Sequence, residues 1–86
     1  MSMSRVARLL LTEIRDRDRI QKPYQTNEWK NFCERYNIPE RSYHHAKMIL
    51  EKNHLIIKEK PRRLSINLAF ASNLEQELIE WYQKGD

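Results

Sequence analysis

Only three residues, Asn37-Ile38-Pro39, separate two stretches of helical periodicity, and that brevity constrains the chain more than any other feature. Trp29, Phe32, Cys33 and Tyr36 recur at i, i+3, i+4 and i+7, the inward stripe of a helix over about residues 27–36 with Thr26 or Asn27 as its cap. Cys33 lies inside that stripe and reads as a small buried hydrophobe. A following helix over about residues 40–53 turns Tyr43, Ala46 and Leu50 to one side, with Lys47 at the margin. Between them Asn37 tolerates left-handed geometry, Ile38 plugs the corner, and Pro39 suits the start of a helix. Helices joined this tightly must cross steeply.

The other side of that second helix carries Arg41, His44, His45, Met48 and Lys52. It is basic and able to hydrogen-bond, with one adaptable methionine in its middle. Beyond it, Leu55-Ile56-Ile57-Lys58-Glu59-Lys60 predicts a strand, Pro61-Arg62-Arg63 a turn, and Leu64-Ser65-Ile66-Asn67-Leu68 a returning strand. Leu64, Ile66 and Leu68 alternate with Ser65 and Asn67 at the period of two that a half-buried strand requires. Lys58, Lys60, Arg62 and Arg63 surround the turn, opposed there only by Glu59.

Charge is distributed to match. The chain carries net +4, but residues 1–39 hold +3, residues 40–63 hold +4 and residues 64–86 hold −3. The concentration of cations on the helix and hairpin points to a polyanionic partner. With 86 residues the chain makes one small domain, 1–86, burying a little over ~60% of its unfolded surface. No apolar run approaches the ~18 residues of a membrane span, and the N-terminus lacks a signal-peptide layout. One cysteine rules out an intrachain disulfide framework and fits a reducing compartment, so a cytoplasmic protein is expected.

Ser2 or Ser4 caps a first helix, about residues 3–15, with Val6, Leu9, Leu10 and Ile14 inward and Ala7 and Leu11 widening that face. The alternating run Arg15-Asp16-Arg17-Asp18-Arg19 is expected to fray into a solvated linker. Residues 21–25 are extended, because Pro23 biases its predecessor away from helix, and suit a short strand pairing with the hairpin. Tyr24 there either packs or reaches a nucleic-acid backbone. Ser72 and Glu75 form a capping box ahead of a last helix, about residues 73–84. Its apolar face, Leu74, Leu78, Trp81 and Tyr82, either packs on the first helix or forms a homodimer seam.

Helix, short strand, helix, turn, helix, hairpin and terminal helix form an α+β, mostly helical order that resembles the winged helix-turn-helix superfamily. The likeness spans nearly the whole chain: a three-helix core, a two-stranded wing at about residues 55–69 and an extra C-terminal helix. Ile38 through Ile56 look like its recognition helix and entry to the wing. Asn53-His54 stands where the family often has glycine, so Asn53 is assigned left-handed geometry, and Lys47 replaces a common aliphatic. The resemblance implies sequence-specific binding of double-stranded DNA by a small transcriptional regulator or a replication or partition factor. The recognition helix would enter the major groove and the wing would lie on the backbone or minor groove. Arg41 would read guanine through its two-pronged fork. His44 and His45 would contact bases or phosphates, and Ser42 a phosphate, beside Met48 and Lys52. Lys58, Lys60, Arg62 and Arg63 would add sequence-independent affinity. About five phosphate contacts imply a log–log salt slope near ~−4 to −5. A protein-interaction winged helix, an adaptor in a larger nucleic-acid-processing assembly, is the alternative.

Neither a metal nor another cofactor is expected. Adjacent histidines on a helix point about 100° apart, and no second ligand stands at zinc spacing from Cys33. One glycine forbids a phosphate-cradling loop, and no nucleophile–base or paired-carboxylate pattern suggests an enzyme or a small-molecule site.

Overall fold

The computed structural model describes residues 4–70 and Gln76. Three helices, α1 (Arg5–Arg19), α2 (Trp29–Tyr36) and α3 (Glu40–Lys52), surround a sheet of three short strands: β1 (Tyr24–Gln25), β2 (Ile56–Glu59) and β3 (Arg63–Ile66). The strands are antiparallel in the order β1-β3-β2, so the last strand in sequence is central. The fold is thus α+β and mostly helical. The expected last helix and its apolar face, Leu74, Leu78, Trp81 and Tyr82, lie outside the described residues.

α1 begins where Ser4 accepts the Ala7 amide at 3.2 Å. It buries Ala7, Leu10, Leu11 and Ile14, while Val6 and Leu9 are only partly covered. The inward stripe is therefore turned from the expected one, because α1 packs on α3 and on β3 together. It also runs to Arg19, four residues beyond the expected end, and the mixed-charge run is no solvated linker. The Arg17 guanidinium donates to both Glu28 carboxylate oxygens, at 2.7 and 3.0 Å, and to the Lys22 carbonyl at 2.7 Å. Asp18 accepts the amide of Ile66 at 2.8 Å. Partners 11 and 48 residues away hold this last turn helical.

α2 is preceded by a 3-10 turn, Thr26–Glu28, whose cap is Gln25 and not Thr26 or Asn27. Glu28 accepts the Gln25 amide at 2.9 Å. After α2 the chain reverses at Asn37, φ 55 and ψ 53, and buried Ile38 donates to the Cys33 carbonyl at 2.8 Å. Left-handed geometry at Asn37 is what the sequence predicted; at the end of α3 it was predicted one residue too early. Asn53 stays at φ −91, its side chain donating to the Ile49 carbonyl at 2.8 Å, and His54 takes φ 61. His54 and Leu55 then donate to the carbonyls of Glu51 and Leu50, both at 3.0 Å. α1 closes alike, with Gln21 at φ 59 and Gln21 and Lys22 donating to Asp18 and Arg17. All three helices therefore end in the same two-bond reversal, each with a residue other than glycine at the left-handed position.

Tyr24 faces Leu64 and Gln25 faces Arg63 across β1–β3; Ile56 faces Ile66 and Lys58 faces Leu64 across β2–β3. Leu64 and Ile66 are buried, as the alternation requires. Leu68 breaks the pattern at 84% exposure, because β3 ends at Ile66 and a 3-10 turn, Leu68–Phe70, follows. The core centres on Tyr24, Phe32 and Tyr43, with the Phe32 ring 5.6 Å from that of Tyr43 and 6.5 Å from that of Tyr24. The Tyr24 and Tyr43 hydroxyls share a buried hydrogen bond of 2.8 Å that ties β1 to α3. Burial pushes both phenols above their ordinary value, so neither ionises near neutrality.

Candidate nucleic-acid interface

α3 has two unlike sides. Tyr43, Ala46 and Leu50, buried to 2% exposure or less, occupy about 60° of the helix circumference at 100° per residue. Arg41, His44, His45, Met48 and Lys52 are all exposed and occupy about 100° centred opposite. Pro39, extended at φ −63 and ψ 143, starts the helix, and Glu40 complements the positive end of its dipole. The inward aromatic and aliphatic contacts set the rotation of α3, which leaves these five residues in solvent.

They differ in what holds them. The side chains of Arg41 and His45 form no hydrogen bond or ion pair among the described residues. His44 is positioned: its ring lies 5.6 Å from that of Trp29 and 5.3 Å from that of Tyr43, and Nε2 is 3.4 Å from a Glu40 carboxylate oxygen. Met48 is 53% exposed. Ser42 is half-buried and about 100° round the helix from Arg41, toward Ala46, so it stands off the open stripe. Lys47 is half-buried and pairs with Glu51 at 3.3 Å.

On the hairpin Lys58, Lys60 and Arg62 are exposed, and no ion pair among the described residues involves them. Lys58 faces buried Leu64 and so leaves the sheet on the face of Ile56, Leu64 and Ile66. Ile57, 45% exposed, takes the opposite face. Arg63 departs from its expected place in the turn: it opens β3, faces Glu59 and pairs with it at 3.1 Å. Both side chains of that pair are over 40% exposed, so it is weak enough for a phosphate to compete with. Tyr24, 1% exposed, packs in the core with its hydroxyl bonded to that of Tyr43.

Among the described residues no three His, Cys, Asp or Glu side chains are grouped to hold a metal ion, and no helix is long and apolar enough to cross a membrane. Cys33 is buried, and that burial raises its thiol, which disfavours the thiolate. The Trp29–His44 contact and the Tyr24–Tyr43 bond were not legible in the sequence, since each joins segments that no local spacing relates. No protein-family model, curated protein or solved structure matches the chain.

Proposed function

We propose that the protein is a winged helix that binds double-stranded DNA with sequence preference, as a transcriptional regulator or a replication or partition factor. One observation carries the reading: α3 buries one side against the core and leaves Arg41, His44, His45, Met48 and Lys52 in solvent. The element order α1-β1-α2-α3-β2-β3 and three exposed hairpin cations support it. α3 would lie in the major groove, with Arg41 near its N-terminal end reading a guanine. Lys58, Lys60 and Arg62 would neutralise phosphates, with Arg63 joining them on release from Glu59. Two copies on a roughly palindromic site would present their helices about one DNA turn apart.

Selection of bound sequences from a random duplex pool, followed by titration against salt, tests this reading. A defined consensus and a slope near about −4 to −5 are expected. Arg41→Ala should cost about 1–3 kcal/mol and relax preference at a single position. Affinity indifferent to sequence and salt would transfer the surface to the adaptor role in a protein assembly.

A further inference from the structure

The exposed stripe of α3 contains one side chain that cannot serve a phosphate or a base's hydrogen-bonding edge. Met48 is 53% exposed, with Arg41, His44, His45 and Lys52 all within about 60° of it around the helix. The other large apolar side chains exposed among the described residues, Ile20, Ile57 and Leu68, lie just past α1, on β2 and beyond β3. A thioether has no donor and accepts only weakly, but it is polarizable and adapts its shape to apolar groups. At the major-groove edge of a base pair, one apolar group answers that chemistry: the C5-methyl of a pyrimidine. Met48 lies seven residues beyond Arg41, a rise of about 10.5 Å along the helix, or about two base-pair steps for a helix lying along the groove, whose path per base pair is longer than the axial rise.

We infer that Met48 recognises a pyrimidine C5-methyl about two base pairs from the base that Arg41 contacts; this rests on the duplex-binding role proposed above. Thymine and 5-methylcytosine carry the same group. The full chain is titrated with its selected duplex while each thymine in turn is replaced by deoxyuridine, which removes only the methyl. One replacement, at that distance, weakens binding about three- to five-fold. Met48→Ala binds the thymine and uracil duplexes alike, Met48→Leu keeps the discrimination, and Arg41→Ala keeps it at lower affinity. A cytosine–guanine pair at the same position, with and without the 5-methyl, separates the sources. A gain from that methyl, lost in Met48→Ala, extends recognition to methylated cytosine, and its absence beside a thymine effect assigns the contact to thymine. Uracil tolerated at every position, with no response to cytosine methylation, overturns the contact while a persisting consensus leaves duplex recognition standing. Loss of all sequence preference in the wild-type chain overturns both.

Discussion

Two arginine-rich runs of mixed charge lie about forty residues apart, and the fold treats them oppositely. Arg15-Asp16-Arg17-Asp18-Arg19 forms the last turn of α1, where Arg17 grips Glu28 through two bonds and Asp18 caps the Ile66 amide. Lys58 through Arg63 forms the hairpin, where Lys58, Lys60 and Arg62 stay in solvent and Arg63 alone is paired, loosely, with Glu59. Similar composition therefore yields a structural clasp in one place and available positive charge in the other. The difference lies in the neighbours. The Glu28 carboxylate in the Thr26–Glu28 turn and the Ile66 amide in β3 reach the end of α1, whereas among the described residues only Glu59 pairs with a hairpin cation. A cation run is evidence for a polyanion partner only after the fold has taken its share.

The comparison can be broken in four places. Arg17→Ala should cost about 2 kcal/mol of stability, read as a shifted urea midpoint, because it strands a partly buried carboxylate; the salt slope of duplex binding should not change. The Arg17 bond holds the Glu28 carboxyl below its ordinary 4.5, against burial and with help from the Gln25 amide. A depressed carboxyl adds stability above its unfolded pKa and loses it as pH falls through the folded value. The wild type should therefore weaken on acidification below about pH 4.5, and Arg17→Ala should lose less over that window. Next, Lys60→Ala with Arg62→Ala should lower duplex affinity about ten-fold for all sequences and reduce the salt slope by about 2. Its unfolding should stay within about 0.5 kcal/mol of wild type. A large stability loss there would mean the hairpin, too, is a clasp.

Smaller changes refine the contrast. Gln21→Gly relieves the left-handed residue that closes the first run and should raise stability by about 0.5 kcal/mol, visible as a higher melting temperature. Arg63→Ala should move stability by less than about 0.5 kcal/mol, as for an exposed pair, and reduce the salt slope by less than a full contact. A full-contact loss would place Arg63 with the other three cations.

Much of this was legible in the residues themselves. The stripes of α2 and α3, the reversal at Asn37 and the alternation of Leu64 and Ile66 each follow from spacing within one segment. The length of α1, the exposure of Leu68, the left-handed residue at His54 and the pairing of Arg63 did not. The length of α1 depends on Glu28 and Ile66, and the exposure of Leu68 on the end of β3. The shift to His54 accompanies Asn53's own side-chain bond to Ile49, and Arg63 pairs across the hairpin with Glu59.

By itself the sequence determined which side of α2 and of α3 turns inward, because apolar periodicity is a local property that burial enforces. It also set the closeness of α2 and α3, through a three-residue junction. Only the tertiary structure decided which charges remain for a partner, since that depends on whether an oppositely charged or hydrogen-bonding group from a distant segment reaches them first. In this protein those groups reach Arg17 and Asp18, and they leave Arg41, Lys58, Lys60 and Arg62 to the solvent.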